Sequence, residues 1–175
     1  RDCWITNAAR CHPQKNELPE KAVDHCRPLL VQAVKELQPE KILLLGGAAV
    51  KSLIGWLWRE DVGGIMRWAG YQIPCQRLNA WVCPTFHPSF VARSADDRKG
   101  GSVAGLIWRE HLKAFAGLKG RPWEKVPDYK REVQVLLDPD KAGQVIHAMR
   151  GLPGPIAFDF ETNRKKPDHP DARIV

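Results

Sequence analysis

Three groups of residues in this 175-residue chain have the types and spacing to do chemistry. The first is PTFHPSFVAR, Pro84–Arg93, where a strand-like run delivers His87 to a loop carrying Phe90, Val91 and Arg93. Open α/β sheets bind ligands at the C-terminal edge of their strands, which is where this pattern sets His87. A histidine beside an apolar wedge and an arginine suits extrusion of a base from a nucleic-acid stack. The wedge fills the gap, the arginine holds a phosphate and the histidine meets the base. The same residues also describe an ordinary strand end with a histidine and a buried phenylalanine, and residue types alone do not choose. The second group is PIAFDFETN, Pro155–Asn163. Strand alternation puts Asp159 and Glu161 on one face, where both carboxylates can reach one pair of divalent metals. Two such cations activate a water and stabilise the leaving oxygen of a phosphodiester. A solvated strand end carries the same pattern. The third group is Cys11 and Cys26, with fourteen residues between them, too many for a local Cys-x-x-Cys knuckle. As isolated residues they read equally as buried free thiols.

The elements that must position these residues follow from periodicity. CWIT is a short apolar run expected as a strand that feeds the turn-rich CHPQKNELPE. Leu29, Leu30, Ala33, Val34 and Leu37 recur at helical spacing, with Pro28 at a first turn or a kink. KILLLGG is a buried-type strand whose Gly pair opens directly into the apolar helix AAVKSLIGWLW. Strand, tight glycine turn and helix are the unit of a parallel α/β sheet. RWAGYQIPCQRLNAW alternates as a hairpin does, AWVCPTF is a further strand, HPSFVARSADDRKGGS a loop and VAGLIWREHLKAFAGL a helix. From Gly117 the composition turns to GLKGRPWEKVPD, rich in Gly, Pro and charge, as linkers are. Beyond it REVQVLL alternates like a strand, DPDKAGQVIHAMRGL is a helix with Asp138 as N-cap, and PIAFDFET is again a strand.

Composition bounds the class. A chain of this length with 43% hydrophobic residues holds one compact α/β domain and a remainder. A net charge of +7 favours a polyanionic partner without identifying it. No apolar run approaches the about 18 residues that span a bilayer. RDCWITN has neither the charged nor the apolar region of a signal peptide. Five cysteines without framework spacing argue against a secreted disulfide scaffold and for a reducing cytoplasm. GGAAVKS lacks the Gly-x-Gly-x-x-Gly and Walker patterns, which weakens a plain nucleotide-binding reading.

ITNAARC, Cys26 in DHCRPLL, ILLLGGAAVKSLIG and PTFHPSFVAR stand in the order found in family 4-type uracil-DNA glycosylases, and Ile5 to Leu118 resembles that family. The resemblance implies a three-layer α/β/α domain with a central parallel sheet that flips uracil from single- or double-stranded DNA and hydrolyses its N-glycosidic bond. It implies that Asn7 hydrogen-bonds the uracil edge, an amide offering donor and acceptor together. It implies that His87 bonds uracil O2 and stabilises the departing anion. Pro88, Ser89, Phe90, Val91 and Arg93 become DNA-binding residues, with Phe90 and Val91 the wedge and Arg93 a phosphate contact. Cys11 and Cys26 match two of the four thiolate ligands of a 4Fe–4S cluster. Cys3, Cys75 and Cys83 match no role. The family's Gly-Glu-Ala-Pro-Gly-like loop, which positions the attacking water, has no counterpart in these residues, nor does the aromatic that stacks on the flipped base. Both are expected upstream in a longer protein, and the alternative is a catalytically inactive glycosylase-fold module that binds DNA.

IAFDFETN, with REVQVLLDPDKAGQVIHAM before it and DARIV after it, resembles the opening of the DEDD 3′–5′ exonucleases of family A DNA polymerases. That resemblance implies Asp159 and Glu161 as ligands of Mg2+ or Mn2+, in the first β-α-β elements of a truncated RNase H-like domain. The expected organisation is a glycosylase-like domain at 1–117, a linker at 118–129 and the start of an exonuclease-like domain at 130–175, with a polymerase possible beyond.

Overall fold

The computed structural model describes residues 3–11, 18–58, 61–94 and 102–157 and divides into two compact units, Arg1–Pro127 and Asp128–Val175. In the first unit α1 (Glu20–Leu37) leads into β1 (Lys41–Leu45) and α2 (Gly47–Trp58). β2 (Ile73–Cys75) and β3 (Ala80–Thr85) follow, then α3 (Pro88–Arg93) and α4 (Val103–Gly117). The sheet has the order β1-β3-β2, with β1 parallel and β2 antiparallel to the central β3. It is therefore small and mixed, where a central parallel sheet is implied by the resemblance.

Alternation sorts the two faces of this sheet. Ile42, Leu44 and Val82 join Val34, Val50, Leu53 and Ile54 of α1 and α2 in one core. On the opposite face, Lys41 Nζ lies 5.3 Å from the Phe115 ring centre, and Thr85 meets His111. Helices thus stand against both faces of this small sheet, a mixed α/β arrangement. In α1 the buried positions are Val23, Cys26, Val31 and Val34, while Leu29 and Leu37 turn outward. A recurring leucine marks a helix without saying which stripe faces the sheet.

The hairpin forms as expected, with β2 and β3 joined across Gln76–Asn79. CWIT forms no strand: Trp4 and Ile5 are exposed and unpaired, because a short apolar run becomes a strand only where a neighbouring edge accepts its backbone groups. The stretch after Gly117 is tied down rather than free. Arg121 donates to the carbonyls of Gln38 and Asn79, which are the non-glycine residues with left-handed backbone among the described residues. Asn79 and Trp123 exchange two further hydrogen bonds, and Gln76 donates to the Pro127 carbonyl.

In the second unit, α5 (Tyr129–Glu132) and α6 (Pro139–Met149) are helical, and Asp138 caps α6 by accepting from the N–H groups of Asp140 and Lys141. REVQVLL forms a helical turn and an exposed extended segment in place of a strand, for the same want of a partner edge. None of the unit's described residues is buried. Among the described residues no helix is long and apolar enough to cross a membrane.

Candidate active site

β1 and β3 run parallel and end together, Leu45 opposite Thr85. From that shared edge β1 turns at Gly46 into α2, and β3 continues through Phe86 to His87. The Gly46 N–H closes the edge by donating to the Thr85 carbonyl at 2.8 Å. Gly46 has φ of +87°, and a Cβ built on it would stand 2.9 Å from the His87 Cβ. Glycine is required there twice over, for the left-handed backbone and for the approach of the histidine.

His87 is exposed and caps α3, with Pro88 in the first turn. Its Nδ1 accepts from the Ser89 backbone N–H at 3.2 Å and lies 2.7 Å from the Ser89 hydroxyl. A backbone N–H can only donate, so Nδ1 is the acceptor and the neutral ring carries its proton on Nε2. The site thus presents one N–H donor, aimed by a helix cap, at the mouth of two parallel strands.

PSFVAR is a short helix rather than the loop its composition suggests, because the capping histidine and the following proline start a helical turn. Phe90 is 43% exposed, with its ring centre 5.4 Å from that of Phe86; Val91 is half-buried and Arg93 exposed. Apolar groups therefore lie about one turn from His87, and the Arg93 cation stands at the far end of the same short helix. Asn7 is exposed in the segment 3–11, and no hydrogen bond joins it to His87 among the described residues. Asp159 and Glu161 lie outside the described residues.

The fold brings Cys11 and Cys26 together. Cys26, on the inner face of α1 and 6% exposed, accepts the Arg10 backbone N–H at 3.4 Å. That N–H holds the Cys26 thiol below the ordinary thiol range; burial opposes it, and the Cys11 backbone and thiol and the Arg10 charge add to it. Two neighbouring thiols, one of them with its proton held less tightly than usual, fit half the donor set of a four-thiolate cluster. No group of three or more His, Cys, Asp or Glu residues suited to a metal occurs among the described residues. Burial instead raises the Cys75 thiol and pushes Cys83 up to about 11, which makes them inert core groups.

Sequence reasoning passed over four participants: Gly46, Thr85, Ser89 as the partner of His87, and His111. The Gly46–Gly47 pair signals a turn, but its proximity to His87 depends on a strand pairing that local sequence does not contain.

Residues 1–110 match the Uracil DNA glycosylase superfamily. The type-4 uracil-DNA glycosylase of Pyrobaculum aerophilum is 33% identical over 95 residues, covering 53% of this chain and 48% of that protein. The chain spans about half the length of the curated relative it matches. The family match extends from the cysteine-bearing segment past His87 into α4, and on that extent the chain belongs to the uracil-DNA glycosylase superfamily.

Proposed function

We propose that the first unit carries the base-excising chemistry of a type-4-like uracil-DNA glycosylase. The observation that supports it most is the His87 ring, with Nδ1 occupied by Ser89 and Nε2–H free to donate at the strand mouth. Hydrolysis of the N-glycosidic bond of deoxyuridine places negative charge on the departing uracil. A fixed N–H aimed at uracil O2 stabilises that charge as it develops and needs no reorganisation at the moment of reaction. Phe90 and Val91 occupy the gap in the base stack, with Pro88 and Ser89 holding the turn against the strand and Arg93 a phosphate. Asn7 reads the O4/N3 edge of the extruded base with its amide donor and acceptor.

Cys11 and Cys26 would hold two irons' worth of thiolate positions in a 4Fe–4S cluster, which when bound supplies a covalent tie between the 3–11 segment and α1. The cluster reading predicts iron and visible absorbance in the full-length protein, both lost in Cys26→Ala; iron-free wild type with both thiols intact would count against it. The pattern IAFDFETN and the division of the chain after Pro127 support a second domain of 3′–5′ exonuclease type, with Asp159 and Glu161 binding Mg2+ or Mn2+. The five free cysteines fit a reducing cytoplasm.

Single-turnover excision from a uracil-containing oligonucleotide tests the central claim. His87→Ala in the full-length protein should lose about 10²–10³-fold in rate, the range for removal of one charge-stabilising donor. Wild-type-like excision by that variant would remove His87 from the chemistry. Tight DNA binding by a wild type that excises nothing would favour the inactive DNA-binding module.

A further inference from the structure

The segment that carries His87 is held from outside at every residue. The Pro84 carbonyl accepts from the Gly70 N–H at 2.9 Å, and the Thr85 carbonyl from the Gly46 N–H at 2.8 Å. The Thr85 side chain is fully buried, and its Oγ1 lies 2.9 Å from Nδ1 of His111. The Phe86 carbonyl accepts from the Trp108 indole N–H at 3.1 Å. Trp108 and His111 stand one turn apart on α4, on the same helix face. α4 therefore grips two successive residues immediately before His87, by two side-chain hydrogen bonds.

The His111 ring is seated as His87 is. Gly70 has φ of +92°, and a Cβ there would lie 2.5 Å from His111 Nε2. Gly46 concedes its Cβ space to His87, and Gly70 concedes the same space to His111. Packing alone would be met by an aliphatic side chain at position 111, without a polar ring to satisfy. An imidazole whose Nδ1 meets a buried hydroxyl fixes the orientation of Thr85, which bulk does not do.

We infer that His111 is a positioning residue for His87. It acts through the Thr85 hydroxyl and the Thr85–Gly46 hydrogen bond, with Trp108 holding the intervening Phe86 carbonyl. Oxygen-bonded Thr85 sets the direction in which β3 leaves the sheet, and that direction sets where Nε2–H of His87 points. This rests on the reading of His87 as the donor to the departing base.

The test is a cycle in the full-length protein. His111→Phe keeps a ring and removes Nδ1, Thr85→Val removes the hydroxyl at constant shape, and Thr85→Ser restores it. Single-turnover excision should fall about tenfold in the first two, below the about 10²-fold that a 1 Å misplacement can cost, with affinity for uracil-containing DNA unchanged. Thr85→Ser should stay near wild type. In a His87→Ala background, His111→Phe should bring no further loss, since its effect passes through His87. The 15N signals of the His87 ring should move in His111→Phe and Thr85→Val. An equal loss with and without His87 would overturn the inference, as would unmoved His87 ring signals. If His111→Phe does not fold, Thr85→Val breaks the same hydrogen bond and carries the cycle. A wild type that excises no uracil would sink the proposed function, and the His87 ring signals then decide the coupling by themselves.

Discussion

In WVCPTF, Trp81–Phe86, Val82 is fully buried and the backbone is paired on both sides. In VQVLL, Val133–Leu137, Leu137 is 91% exposed and no strand forms. Both runs are apolar and both alternate. They differ in their neighbours: β3 lies between β1 and β2 with helices over both faces, whereas the described residues of the second unit contain no strand. An apolar run becomes a strand when a neighbouring edge takes its backbone groups and a covering layer removes its side chains from water. The same enclosure fixes the end of β3, from which His87 emerges.

The contrast can be broken or sharpened by substitution, and the largest effect belongs to β3. Val82→Asp sets an unpaired carboxylate in the core. It should cost several kcal/mol out of the about 5–15 that hold a domain folded, abolishing cooperative unfolding by circular dichroism. A native transition in that variant would deny β3 its central role.

Gly46→Ala should come next. Left-handed strain costs about 1–3 kcal/mol, and the new Cβ also displaces His87, so uracil excision should fall beyond what the stability loss explains. Gly63→Ala is the control: φ is +64°, but the nearest contact to a Cβ there is Arg67 Cδ at 3.8 Å. That variant should lose stability by about 1–2 kcal/mol and keep its excision rate. Equal activity in the two variants would show that the Gly46–His87 contact does not matter.

Asp138→Ala, in the second unit, removes an N-cap and should cost about 1 kcal/mol of α6 stability. Amide exchange in α6 should quicken while excision stays unchanged; slowed excision would show that the second unit supports the first unit's site. The smallest effect is expected at Val135→Asp, which should shift stability by no more than about 0.5 kcal/mol, measured by denaturant midpoint. A large loss there would mean that this run is buried in the folded protein after all.

Much of the first unit is legible in order along the chain. KILLLGG followed by AAVKSLIGWLW announces β1, a glycine turn and α2, because each signal is local: a buried apolar run, then a residue free of Cβ, then helical spacing. Asp138 is legible as a cap for the same reason, since its partners are two and three residues away. The inward stripe of α1 was not legible, because Leu29 and Val31 differ in burial by which side the sheet lies on. Nor was CWIT, whose four residues satisfy a strand pattern but not the need for an adjacent edge. At the site, PTFHPSFVAR marks His87 as a candidate but says nothing of what stands behind it.

The amino-acid sequence by itself determined the residue types of the site and part of the local structure around it: His87 at a strand end, the glycine turn after β1 and the Asp138 cap. These depend on interactions within a few residues. Tertiary structure alone decided that Gly46 lies against His87, that Arg10 and Cys11 reach Cys26, and that His111 meets Thr85. Each of those contacts joins segments far apart in the chain, and only the pairing of β1 with β3 and the packing of α1 and α4 on the sheet bring them within a few ångströms.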